Sequence, residues 1–126
     1  MNEAEFKTNM VNQMRMDGGY GRRFEDQFAV GIFDMLLIPK GGPDFFIEAK
    51  ISRGIYRPRP RQLIELGRIQ SAESGAVVIL MGCNPDNHNI YLNPLGPEAH
   101  NKNARVSGHW KEITKLLKAY HGQGHT

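Results

Sequence analysis

Little in this sequence suggests stabilisation from outside a packed core. The single cysteine, Cys83, cannot form an internal disulfide, and the opening MNEAEFKTN stretch lacks the apolar centre of a secretory signal. A reducing cytoplasm is the expected setting. No apolar run approaches the roughly 20 residues needed to cross a bilayer. The longest candidate is GAVVILM, so a membrane-spanning chain is not expected. Repeats, low-complexity tracts and interdomain linkers are also missing. The five histidines, His88, His100, His109, His121 and His125, show neither HExxH spacing nor cysteine partners, which argues against zinc and leaves them as surface residues. Gly18-Gly19 and Gly41-Gly42 read as turns and belong to no lysine-bearing phosphate loop.

What is present fits one globular domain over residues 1–126, with 40% hydrophobic and 23% charged residues. The net charge of +3 is modest, but its distribution is uneven. Between Lys50 and Arg68 lie six basic residues (Lys50, Arg53, Arg57, Arg59, Arg61 and Arg68) against one acid, Glu65. Arginine forks suit phosphate oxygens, so this segment matches a nucleic-acid backbone. A solvated arginine-rich loop fits the charge alone equally well.

The periodicity gives an order of elements. Phe6, Met10 and Met14 recur at four-residue intervals over residues 3 to 16, an amphipathic helix that stops at Asp17-Gly18-Gly19. Residues 20 to 28 read as a first strand, with a bulge or loop near Glu25-Asp26. IFDMLLI (32 to 38), a Pro39 to Asp44 turn and FFIEAK then form a hairpin. Pro58 and Pro60 hold the chain extended before a second helix from about residue 61 to 74, bearing Leu63, Leu66 and Ile69. GAVVILM reads as a buried strand, with IYL (90 to 92) pairing across a loop from 82 to 89 that contains Cys83. Residues 93 to 108 read as a long surface loop, and Trp110, Ile113, Leu117 and Tyr120 mark a last helix before a frayed HGQGHT tail.

The chemistry concentrates in the hairpin. Strand alternation sends Phe46, Glu48 and Lys50 to one face and Phe45, Ile47 and Ala49 to the other. An acid and a lysine on an aromatic-rich strand need pairing, solvation in a cleft or a metal. Asp34 interrupts the preceding apolar run in the same way, and across a hairpin it comes close to Glu48. Two such carboxylates repel unless a cation enters, and Mg²⁺ commonly binds through one or two carboxylates plus substrate phosphate. The ion would polarise a phosphate and activate water while Lys50 stabilises developing charge, which implies phosphodiester hydrolysis.

GIFDMLL, FFIEAK, the acid-bearing first helix and YRPRPRQ together resemble the PD-(D/E)XK nucleases, and within them the virus-type replication-repair (VRR-NUC) family. The resemblance spans about residues 3 to 92 and implies an α/β fold with an αβββαβ restriction-endonuclease-like core. A central mixed sheet would be flanked by helices, with the loop and extra helix at 93 to 121 appended. By position it implies Asp34 and Glu48 as Mg²⁺ ligands (Mn²⁺ substituting), the Ala49 carbonyl as a further ligand and Lys50 as the catalytic lysine. Gln62 matches the glutamine that opens the family's second helix. The family's helix acid has two candidates, Glu3 and Glu5; Glu3 is preferred because it shares a face with Phe6 at i, i+3 spacing.

One position departs from the pattern. The proline that normally precedes the first aspartate is Phe33 here, and the literal Pro43-Asp44 has turn composition, so Asp44 reads as a loop acid. The resemblance implies a metal-dependent DNA endonuclease selective for branched, flapped or junction DNA in phage replication, recombination or repair, in the host cytoplasm. DNA would be read by backbone and shape, with Arg53, Arg57, Arg59, Arg61 and Arg68 gripping phosphates. Small members of the family resemble dimeric enzymes, which is the sole ground for a homodimer. Three alternatives stay open: Asp34, Glu48 and Lys50 as an internal salt-bridge cluster, a nucleic-acid-binding module that does not cut, and a viral assembly protein whose arginines dock on an acidic partner.

Overall fold

Asn2 opens the first helix, α1 (Glu3–Met16), by accepting the Glu5 N–H at 2.8 Å while the Glu5 carboxylate accepts the Asn2 N–H at 3.4 Å. This reciprocal cap satisfies two otherwise orphaned donors. Phe6, Met10, Val11 and Met14 form the helix's buried stripe. The turn after it needs glycine twice: Gly18 has φ +87°, and a Cβ on Gly19 would overlap the Ile38 carbonyl and the Met14 sulfur.

The computed structural model describes residues 1–24, 33–72 and 75–123. Eight strands follow α1: β1 (Tyr20–Arg23), β2 (Met35–Ile38), β3 (Phe45–Ile51), β4 (Ile55–Tyr56), β5 (Val77–Cys83), β6 (Asn89–Pro94), β7 (Ala99–His100) and β8 (Val106–His109). The second helix, α2 (Pro60–Ala72), lies between β4 and β5, and α3 (Ile113–Gln123) ends the described chain after a short 3-10 turn, Trp110–Glu112. Six strands form a central sheet in the order β1-β2-β3-β5-β6-β8, while β4 and β7 make a separate ribbon. Every neighbouring pair in the sheet is antiparallel except β3 and β5. A parallel pair needs a crossover, and α2 lies within it. The fold is therefore mixed α/β, a central mixed sheet flanked by helices.

The sheet separates two apolar cores. On one side Phe45, Ile47 and Ala49 of β3 join Ile79, Met81 and Cys83 of β5 beneath α1 and α3. On the other, Val78 and Leu80 meet Leu66 of α2, with Phe33, Phe46 and Tyr56 packed at the margin. β5 is covered on both faces, which explains its nearly continuous apolar sequence.

Several boundaries differ from the sequence reading. β2 begins at Met35, with Phe33 and Asp34 preceding it; Ile32 and residues 25 to 28 of the expected first strand lie outside the described residues. The second helix starts one residue earlier than expected, at Pro60, and its expected last residues, 73 and 74, are likewise outside. Cys83 is not in a loop: it ends β5, fully buried, and burial pushes its thiol pKa far up. The stretch expected as one long surface loop contains β7 and β8, the latter an edge strand of the main sheet. His88, His100, His109 and His121 are half-buried, not fully at the surface. Trp110 belongs to the 3-10 turn and packs against the larger core. Among the described residues, no helix is long and apolar enough to cross a membrane.

Candidate active site

The register Met35↔Ile47 sets Asp34 opposite Glu48, where β2 leaves β3. Asp34 still donates its N–H to the Ile47 carbonyl at 2.8 Å. Beyond that point its side chain takes over from the strand: Oδ2 accepts the Ala49 N–H at 2.8 Å. Within a strand, a residue's N–H and C=O point to the same edge, so the Ala49 carbonyl opens on Asp34's side. An aspartate at this place is both a strand end and a polar plug in the sheet's split.

Alternation along β3 turns Glu48 toward α2, yet leaves it only 6% exposed. Gln62 donates from Nε2 to Glu48 Oε1 at 3.0 Å and accepts the Arg59 N–H on Oε1 at 3.2 Å. That second bond caps α2, because Gln62 is the helix's third residue and reaches back to the residue before Pro60. One side chain thus starts the helix and orients the acid. The Tyr56 hydroxyl donates to the Glu48 carbonyl at 3.3 Å. Tyr56 comes from the β4–β7 ribbon, which is tied to the main sheet by Asn101 Nδ2 donating to the Ser52 carbonyl (2.8 Å) and by the His100 N–H reaching Asn93 Oδ1 (3.1 Å).

Burial, and then the negative charge of Asp34, push the Glu48 pKa up to about 7. The Gln62 hydrogen bond and the charges of Lys7 and Lys50 pull the other way, in that order, and do not cancel the rise. Glu48 therefore titrates in the neutral range and responds to any additional cation. Burial and then the Glu48 carboxylate raise the Tyr56 phenol well above its usual range, so it stays a neutral donor. Asp34, Glu48, Lys50, Tyr56, Arg57, Pro58, Arg59 and Gln62 line one cleft of about 390 Å³.

A second set of charges reaches Asp34 from α1. Lys7 Nζ lies 3.1 Å from Asp34 Oδ1 and 3.6 Å from Glu3 Oε2, and Glu3 Oε1 accepts the Ile51 N–H at 3.2 Å. Of the two helix acids, Glu3 faces β3 while Glu5 is used in the cap. Glu3 does not line the cleft; it reaches Asp34 through Lys7. Sequence reasoning missed Lys7, although its i, i+4 spacing from Glu3 was visible. Tyr56 was missed too, having no local signal.

The arginine segment divides. Arg53 pairs with Asp86 at 2.9 Å, Arg57 with Glu98 at 2.7 Å and Arg68 with Glu65 at 2.8 Å. Among the described residues, Arg59, Arg61 and Lys50 carry no ion pair. Arg57 and Arg59 stand in the cleft wall, whereas Arg53, Arg61 and Arg68 do not.

The donors at this site are hard oxygens: Asp34, Glu48 and the Ala49 carbonyl. Among the described residues, no group of three or more His, Cys, Asp or Glu could hold a metal. A closed transition-metal cage does not fit, whereas an ion that keeps several waters and takes two carboxylates does. No protein-family model and no curated protein matches this chain.

Proposed function

We propose that this protein is a Mg²⁺-dependent DNA endonuclease on a restriction-endonuclease-like αβββαβ core of the virus-type replication-repair kind. The carrying observation is the opposition of Asp34 and Glu48 in one cleft, with Glu48 raised to a pKa of about 7 and Lys50 two positions along the same strand. The order α1, β1, β2, β3, α2, β5, broken only by the two-residue β4, supports the core assignment. Asp34, Glu48 and the Ala49 carbonyl would hold the ion. When bound it supplies a Lewis acid and lowers the pKa of a water.

The protein's own groups do the rest. Gln62 fixes the Glu48 carboxylate and Tyr56 fixes its backbone. Lys50, on the cleft wall, stabilises charge developing on the phosphate. Arg59 holds a neighbouring backbone phosphate, and Arg57 joins it by exchanging Glu98 for phosphate. Among the described residues no element offers base-edge readout, so selectivity rests on backbone and shape, with branched or flapped DNA in phage replication or repair as the substrate class and a homodimer as the assembly.

Incubation with linear, nicked, flapped and four-way DNA under Mg²⁺ and Mn²⁺ tests the proposal. Glu48→Ala and Lys50→Ala are expected to abolish cutting while the circular dichroism spectrum is retained. Robust cleavage by both variants refutes the assignment. One observation favours the rival, a binding module without activity: Lys7 pairs with both Asp34 and Glu3 and gives the acids an internal countercharge. DNA affinity that persists in EDTA, with no product under any divalent ion, decides for that rival.

A further inference from the structure

We propose that Lys7 is a resident cation of the acid cluster, occupying Asp34 in the metal-free protein and setting how tightly a divalent ion binds. This rests on the divalent-ion reading of Asp34 and Glu48. Three features of the geometry lead to it. First, both Asp34 oxygens are engaged: Oδ2 by the Ala49 N–H at 2.8 Å and Oδ1 by Lys7 at 3.1 Å. Each oxygen keeps lone-pair capacity for an ion, so an ion on Asp34 either shares Oδ1 with the Lys7 ammonium or sits on Oδ2 with that ammonium on the same carboxylate. Second, the Lys7 side chain is only 12% exposed and stands outside the cleft lining, behind the carboxylates. Its charge is poorly screened there.

Third, Lys7 has a second acceptor. Glu3, one helical turn back, offers Oε2 at 3.6 Å and is anchored on β3 through the Ile51 N–H at 3.2 Å. With a divalent ion on Asp34, Lys7 would keep Glu3 as a partner and so would not become an unpaired buried charge. Lys7 is a positioning residue that acts through Asp34. The site's carboxylates are compensated in both states. The cost is affinity, because an ammonium beside a dication repels it.

Calorimetric titration of the full chain with MnCl₂ and MgCl₂, without DNA and at a pH above the Glu48 pKa, tests this. Lys7→Met and Lys7→Gln are expected to bind Mn²⁺ at least about tenfold tighter than the unaltered protein, and Lys7→Arg to bind within about threefold of it. The two neutral variants should also melt lower without metal and gain more from Mn²⁺. Lys7→Gln keeps a hydrogen-bond donor, so the comparison survives if Lys7→Met does not fold. Equal or weaker Mn²⁺ binding by the neutral variants overturns the role of Lys7 alone. Absence of binding by the unaltered protein and by every Lys7 variant overturns the divalent-ion reading and this inference together.

Discussion

The two faces of the central sheet are built for different tasks. Under α1 and α3, β3 contributes Phe45, Ile47 and Ala49 to a large, nearly sealed apolar core. Under α2 the same strand presents Phe46, Glu48 and Lys50, its side chains passing from a small apolar core to a charged cleft. α2 buries only Leu66 completely and leaves Ile64 57% exposed. Alternation with period two lets one seven-residue strand serve both faces. Stability gathers on one side, and poorly compensated charge is tolerated on the other.

The largest effect that sharpens this contrast comes from adjacent residues on β3. Phe45 is fully buried, so Phe45→Ala is expected to cost about 3–5 kcal/mol. Phe46 is half-buried at the cleft's margin, and Phe46→Ala should cost about 1–2 kcal/mol. Denaturant unfolding of both variants checks this. Equal losses would mean that the α2 face carries as much of the fold as the α1 face, and the contrast would fail.

How much of this is legible in the sequence follows the same division. α1 can be read to its last residue because Phe6, Met10 and Met14 declare one face and Asp17-Gly18-Gly19 ends it. The pairing of Asp34 with Glu48 is legible because a hairpin turn and strict alternation constrain register locally. The reach of Lys7 to Asp34 is not, since it depends on how α1 lies on the sheet. Arg57 reads as free in the sequence because its partner, Glu98, is 41 residues away. The VSGH strand, β8, carries little β-propensity, and its place at the sheet edge is secured by Gly108 lying against Leu116 of α3. Gly82 reads as a loop opener, yet it sits inside β5 because the Asn101 side chain needs the space a Cβ would fill.

A smaller effect is expected on the open face, from pH. The Glu48 pKa is raised from 4.5 to about 7 in the folded protein, so the folded state binds more protons than the unfolded one between those values. Stability from this residue is fully present below the unfolded pKa and is lost as pH rises through the folded pKa. The loss is on the order of 1–3 kcal/mol in the absence of divalent ions. Glu48→Gln, neutral at every pH, should flatten the dependence and melt higher than the unaltered protein on the alkaline side. Thermal melts in EDTA across pH read both outcomes, and an unchanged profile in Glu48→Gln would assign the dependence elsewhere.

The smallest effects separate the arginines that stand on the open face from those tied up beside it. Arg53 and Asp86 form a pair whose side chains are 66% and 64% exposed, so Asp86→Ala should leave the unfolding midpoint nearly unchanged. For the proposed grip on DNA the order reverses between paired and unpaired residues. Arg59 is in the cleft wall with no ion pair among the described residues. Removing one phosphate-neutralising cation makes the salt slope of binding shallower by roughly 0.9. Arg59→Ala should show that full decrement, whereas Arg53→Ala and Arg68→Ala, already neutralised by Asp86 and Glu65, should show a fraction of it. Asp86→Ala, by releasing Arg53, should strengthen DNA binding at low salt. Identical slopes for Arg59→Ala and Arg53→Ala would mean that phosphates displace surface carboxylates freely, and that position along the segment matters more than pairing.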